Sequence, residues 1–287
     1  MINGRKLPIV ISIPHGGISI PPGLRTICLL SKQEILLDSD TWTRELYNFK
    51  NSVEEYVDTD IARIVVDMNR SRNDLPPFNP DGVVKTHSVV GKRVWSTPDG
   101  LPLAEVEELL NKYHFTYHKL LEMATNNPNI VLGIDCHSML AVGPVKGQSG
   151  WDKRPLFCIS NRGNVNGEFL NKPLTAPPEM MHRLKFLLEK NFKEFVGNNQ
   201  NTEVPLVSIN DPFAGGFITK YHGSKGIIPW IQLEINRNLY LPKEIPSSLR
   251  PSEMDLIRLE KIRDILLQVF SDLLFGEKGN KPGNKVS

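Results

Sequence analysis

Cysteine is scarce in this chain, and what there is lies scattered. The three cysteines among 287 residues, Cys28, Cys136 and Cys158, form no CxxC pair and no even-numbered framework. That excludes a disulfide scaffold and indicates a reducing, cytoplasmic setting. Long apolar runs are missing as well. No stretch approaches the roughly 18 residues of a membrane span, and the N-terminal Met1-Ile-Asn-Gly-Arg-Lys6 has no signal-like apolar core. A surplus of one charge is also absent, with 34 basic against 32 acidic side chains leaving +2. No dense Arg/Lys stripe is present, so neither nucleic acid nor a membrane is expected as a partner. The nearest approach, Lys278 to Lys285, falls in a Gly- and Pro-containing tail, 276–287, that is expected to fray. Repeats and coiled-coil heptads do not occur. What remains, 40% hydrophobic and 23% charged residues, is an ordinary globular composition, long enough for one large domain over 1–275.

Short apolar runs alternate with helical patterns, which argues for an α/β fold. Strands are expected at Pro8–Ile13, Arg63–Met68, Ile130–Asp135, Pro155–Ser160, Val204–Ile209 and Trp230–Ile235. Apolar spacings of three and four place helices at Asp40–Phe49, Leu103–Thr125, Pro178–Phe195 and Met254–Leu274. Ser252 suits the N-cap of the last one, with Asp255 three residues on. Residues 71–102 are dense in turn formers, and 138–154 and 210–229 are rich in glycine. Loops of this length inside a compact domain are usually functional.

Polar groups collect where the strands end. The first runs into Ile13-Pro-His-Gly-Gly17, the second into Val66-Asp-Met-Asn-Arg70, the third into Asp135-Cys-His-Ser138, and the last reads Ile231-Gln-Leu-Glu-Ile-Asn-Arg237. In open α/β sheets ligands bind beyond the carboxyl ends of strands. Two histidines, His15 and His137, with a carboxylate make the three-ligand set of a catalytic zinc site. A further carboxylate is then needed as general base, and Glu234 suits it. Alternation puts Gln232, Glu234 and Asn236 on one face of their strand. The plainer reading of Glu234 is an ion pair with Arg237 or Arg63. Asn69-Arg70 offers an amide beside a guanidinium, the set that grips a substrate carboxylate, and Asn236-Arg237 is a second such pair. Gly215-Gly216 would let backbone approach a ligand closely, or simply turn the chain.

Taken in order, Pro14-His15-Gly16-Gly17, Asp38-Ser39-Asp40, Arg63-Ile-Val-Val-Asp67-Met-Asn69-Arg70, Tyr113-His-Phe-Thr-Tyr117-His118, Asp135-Cys-His137-Ser-Met139, Pro212-Phe-Ala-Gly215-Gly216-Phe-Ile-Thr219 and Gln232-Leu-Glu234-Ile-Asn-Arg237-Asn-Leu-Tyr240 form a recognisable series. It resembles the N-formylglutamate amidohydrolase (N-formylglutamate deformylase) family, which is related to zinc carboxypeptidases and aspartoacylases. The resemblance implies a single α/β domain, a phosphorylase/hydrolase-like three-layer sandwich with a mixed central sheet. It further implies a metal-dependent hydrolase, with zinc or another divalent ion, acting on the amide of an N-formyl or other N-acyl amino acid.

The same resemblance assigns roles. His15 and His137 match metal ligands, but the third residue after His15 is Ile18, where carboxypeptidase-like relatives carry Glu. The carboxylate must come from elsewhere, and Asp38-Ser39-Asp40 is the candidate; Asp40 matches the acidic residue of the pattern better, and Asp38 could instead cap the helix that follows. Glu234 matches the general base, Asn69 and Arg70 the substrate-binding pair, and Arg63 an oxyanion partner. Asp135 could orient His137 from behind. His118 is either structural or a pocket residue. Ser71-Arg72 departs from the proline that many relatives have after the Asn-Arg pair. Other readings stand beside this one: a hydrolase of a different N-acyl amino acid or of a peptide-like amide, a catalytically silent carboxylate-binding protein on the same fold, and a cysteine hydrolase using Cys136. Adjacent strand residues face opposite ways, which separates Cys136 from His137.

Overall fold

The apolar runs assemble into one sheet. The computed structural model describes residues 5–144, 150–196, 204–243 and 248–276. Strands β1 (Leu7–Ile13), β2 (Val53–Asp58), β3 (Leu132–Met139), β6 (Phe157–Ser160), β7 (Val207–Ile209) and β8 (Trp230–Asn236) form a six-stranded sheet in the order β2-β1-β3-β8-β6-β7. Neighbours run parallel except β6 against β8, so the sheet is mixed. A separate antiparallel pair, β4 (Val142–Pro144) and β5 (Trp151–Lys153), stands off it.

Two cores, one on each face, make three layers. On one side Ile9, Ile11, Leu132, Ile134, Leu233 and Ile235 meet the short α2 (Thr43–Leu46), α5 (Pro178–Val196) and α7 (Glu253–Phe275) through Leu46, Leu184, Phe192, Leu259, Ile262 and Leu266. On the other, Val10 and Trp230 meet α3 (Leu103–Leu109), α4 (Phe115–Thr125), α6 (Phe217–Gly223) and the irregular 61–95 segment. Each such side chain taken fully out of water contributes about 1.5–3 kcal/mol, so both faces are firmly seated. Helix α7 starts as its sequence signals: Ser252 and Asp255 form a reciprocal capping box. Among the described residues no helix is long and apolar enough to cross a membrane.

Several elements differ from the sequence-based expectation. Arg63–Met68 is not a strand; it is a run of turns whose Ile64, Val65, Val66 and Met68 fill the second core. The strand beside β1 is instead β2 at the sheet edge, where Val53 and Val57 are buried and the Glu-Glu-Tyr between them is more exposed. β3 does not stop at Asp135 but continues to Met139, because β8 pairs with it through Met139↔Asn236. The expected helix over 40–49 shrinks to α2, since Trp42 takes a left-handed φ of 58°. Helix 103–125 is interrupted by a π-turn over Leu110–His114. Helices α1 (Lys32–Asp38) and α6 were not anticipated. The expected tail lies, beyond Gly276, outside the described residues.

Candidate active site

The site follows from which face each strand residue takes. With Ile134, Cys136, Leu233 and Ile235 committed to one core, alternation sends Ser12, Asp135, His137, Gln232 and Glu234 to the other face. Register sets Ser12 beside Asp135, Asp135 beside Gln232 and His137 beside Glu234. All of these are buried. Ser12 Oγ donates to Asp135 Oδ1 at 2.9 Å, and Gln232 Nε2 donates to Glu234 Oε1 at 2.9 Å. These buried side chains therefore partner one another, which offsets the cost of burying them.

His15 follows β1, and its carbonyl accepts from the Asp40 N–H at 3.0 Å, which docks the α1–α2 link onto the strand end. The left-handed turn at Trp42 keeps Asp40 out of the helix; Tyr240 Oη donates to Thr41 O at 2.7 Å and secures the bend. Arg237 holds the same link through Ser39 O at 2.6 Å and Asp40 Oδ1 at 3.5 Å. As a result His15 Nδ1 lies 3.6 Å and His137 Nδ1 3.2 Å from Asp40 Oδ2. One ligand atom from each of these three residues lies within 4.8 Å of the others, making a group able to hold a metal ion.

The opposite edges of both imidazoles are fixed by carboxylates. His15 Nε2 donates to Asp67 Oδ1 at 2.7 Å and His137 Nε2 to Asp135 Oδ2 at 2.9 Å. Ionised carboxylates only accept, so the Nε2 protons stay and the Nδ1 edges are left for a cation or a second proton. Asp67 is itself gripped by Arg63 Nη2 at 3.0 Å and by the buried Lys85 at 3.9 Å. Burial would raise its pKa, but His15, Arg63 and Lys85 hold it well below the usual carboxylate range. The same contest favours charge at Asp40, where bonding to His137 and His15 outweighs burial. At His137 burial is overcome by Asp135 and Asp40, which hold its pKa well above the usual value. Glu234 goes the other way: burial dominates and pushes it up to about 7.

His15, Asp40, Asp67, His137 and Glu234 line one cleft of about 620 Å³, together with Arg63, Asn69, Arg70, Gly215, Gly216 and Arg237. Asn236 does not line it; its Nδ2 donates to Arg154 O and Pro155 O at 3.2 and 3.1 Å. Asp38 lines the cleft, but its Oδ1 accepts from Val89 N at 2.7 Å and it caps no following helix. The Arg70 guanidinium is paired with Asp81 at 2.7 Å. Asn69 packs so closely on Gly216 that a Cβ there would overlap its amide, while Gly215 needs its φ of 111°. His118 is structural: its Nε2 donates to Met68 O at 2.9 Å, and His114 Nε2 donates to Arg70 O at 2.9 Å, so two ring donors of α4 and the π-turn bracket Asn69. Cys136 faces the opposite core with burial holding its thiol pKa well above normal, which disfavours a thiolate.

Asp67, Ser12 and the His114 clamp had no role in the sequence reading. Asp67 carried a signal, being a carboxylate inside an apolar run, but its partner His15 is distant along the chain and only folding joins them.

With this geometry in view, comparisons place the protein among known ones. No curated protein matches the chain. It is similar to the crystal structure of N-formylglutamate amidohydrolase from Ralstonia eutropha JMP134, at 20% identity and a TM-score of 0.71, over 96% of this chain and 97% of that one. A gene product of Agrobacterium tumefaciens is similar at 15% identity and a TM-score of 0.58, over 94% and 91%. At these identities the likeness concerns the fold. The sequence pattern of the family described as N-formylglutamate amidohydrolase matches residues 7–241, a stretch that runs from β1 through Glu234, and the chain belongs to that family.

Proposed function

We propose that this amidohydrolase removes the formyl, or another small acyl, group from an N-acyl amino acid of the N-formylglutamate kind, using a divalent cation and Glu234. The observation that carries the reading is the convergence of His15 Nδ1 and His137 Nδ1 on Asp40 Oδ2 in the cleft that Glu234 also lines. The donor set fits the ion: two imidazoles with their Nε2 protons anchored and one ionised carboxylate suit zinc in a three-ligand site with an open position. A cation there would polarise the acyl carbonyl and lower the pKa of water to about 7. Glu234, near 7 itself, is poised both to take a proton and to return it.

The step balances without further reagents. Water oxygen bonds to the acyl carbon while its proton passes to Glu234. The C–N bond then breaks and Glu234 returns the proton to the leaving nitrogen, giving the carboxylic acid and the free amino acid. Arg63, whose buried Nε has no partner, stands at the cleft wall and is the proposed oxyanion partner. The unpaired cysteines fit a cytoplasmic setting for this chemistry.

Glu234→Gln tests the assignment. Metal content should stay stoichiometric while kcat falls by about 10²–10⁴-fold, the usual worth of a positioned base. Near-native turnover would remove Glu234 from the mechanism. A wild-type protein that binds the acyl amino acid, takes up zinc and never turns over would instead support the silent binding reading.

A further inference from the structure

Most guanidinium groups in the cleft are already spoken for. Arg70 pairs with Asp81 and, at 3.8 Å, Asp74; Arg63 pairs with Asp67; Arg237 holds Asp40 and the carbonyls of Leu37 and Ser39. Two others on the wall differ. Arg154 precedes β6, and because β6 runs antiparallel to β8 it arrives at the sheet edge near the carboxyl end of β8. Its guanidinium carbon stands 5.0 Å from the Phe213 ring centroid, and on another side a Cβ built on Gly143 would overlap the group. Ring and bare backbone thus hold it in place. Among the described residues that guanidinium has no ion pair and no hydrogen bond, and burial depresses its pKa more than the charge of Glu234 raises it.

Arg162 stands beyond the other end of β6 with a left-handed φ of 70°. The strain persists because Asn161 and Asn210 lock the backbone: Asn161 N donates to Asn210 Oδ1 at 2.9 Å and Asn210 Nδ2 donates back to Asn161 Oδ1 at 2.8 Å. The guanidinium of Arg162 reaches Gly215 O at 3.5 Å and no carboxylate among the described residues. Both arginines line the cleft that holds Glu234.

Partly desolvated cations held without a counter-ion are unfavourable unless an anion completes them. We propose that Arg154 and Arg162 form the carboxylate-binding wall of the cleft and make the enzyme prefer an N-acyl amino acid with an acidic side chain over its neutral amide. The proposal rests on the hydrolase reading of the site. It moves carboxylate recognition from Arg70, whose charge is neutralised, to two guanidiniums with open donors.

The test compares N-formylglutamate with N-formylglutamine on the metal-loaded enzyme. Arg154→Gln and Arg162→Gln should each lower the acid-over-amide ratio of kcat/KM by about 10-fold or more, carried by KM, as loss of a charge-assisted contact does. Gly143→Ala keeps both arginines but displaces Arg154, and should lower the same ratio. An unchanged ratio in all three variants, or no acid preference in the wild type, overturns the proposal. If no acyl amino acid is turned over, the hydrolase reading fails separately. Calorimetry with glutarate then decides: salt-sensitive binding that the double arginine variant loses supports the wall, and equal binding by both proteins overturns it.

Discussion

At the scale of residues, the protonation of His137 governs what the site can hold. Asp135 and Asp40 keep its pKa well above the usual value, which favours a second proton on the imidazole when no cation is bound. A cation arriving at Nδ1 must displace that proton, because Nε2 keeps its own for Asp135. Loading at pH 7 should therefore release about one proton per ion from His137, read by calorimetry in buffers of different ionisation enthalpy. Below the His137 pKa the apparent affinity should fall about tenfold per pH unit. Proton release of zero would take His137 out of the ligand set. The same bond predicts that Asp135→Asn and Asp67→Asn each weaken zinc binding by about 10–100-fold without touching a ligand, because the imidazoles lose their anchors. Asp40→Ala should cost far more affinity than Asp38→Ala, whose carboxylate serves Val89; the opposite ranking in a competition titration would exchange their roles.

At the scale of elements, the π-turn and α4 hold the Met68–Arg70 loop with neutral histidines. His118 Nε2 donates to Met68 O, so its Nδ1 accepts from His222 Nε2 at 3.0 Å, and His222 Nδ1 is left buried and unpartnered. A further proton on His118 would meet the proton that His222 already offers. Burial first, and then the neighbouring histidines, push His118 down to about 3; burial and Lys225 push His222 down to about 4. Both folded values lie below the ordinary 6.5, so the unfolded chain binds more protons as pH falls. Their stabilising effect is fully present above about 6.5 and is lost as pH drops towards 4 and then 3. Urea unfolding should show wild-type stability falling across pH 6.5 to 4 more steeply than that of His222→Gln, which cannot titrate there. Parallel curves would mean the pair is not what destabilises the acid form. This clamp was hidden in the sequence: Tyr-His-x-x-Tyr-His sits at helical spacing, but neither the π-turn nor His222 could be read from it. The 63–68 run deceived for a related reason. Its apolar residues pack as turns in the second core, whereas the true edge strand β2 carries charges that hide its period.

At the scale of the whole molecule, the sheet separates stability from chemistry, and this is why so much of the site was legible. Strand alternation alone sets Asp135 and His137 opposite Cys136, and groups Gln232 with Glu234, with no distance needed. What it could not supply was pairing across strands and loops, which brought Asp67 to His15 and committed Arg70 to Asp81. The first core, under β3 and β8, contains none of the proposed ligands or the base. Leu266 of α7 is fully buried there. Leu266→Ala should cost about 2–5 kcal/mol through the cavity it leaves, lowering the melting temperature by several degrees, at about 2–4 °C per kcal/mol for a chain of this size. The folded fraction should keep kcat/KM and zinc affinity within about twofold, since distant sites act independently. Tyr117→Phe, on the other face, gives the contrast. Its hydroxyl lies 2.9 Å from Ser12 Oγ, which donates to Asp135, which in turn anchors His137. Its loss should weaken zinc binding at a stability cost of only about 1 kcal/mol. Equal loss of zinc affinity in the two variants would mean that the sheet does not insulate the site from its own core.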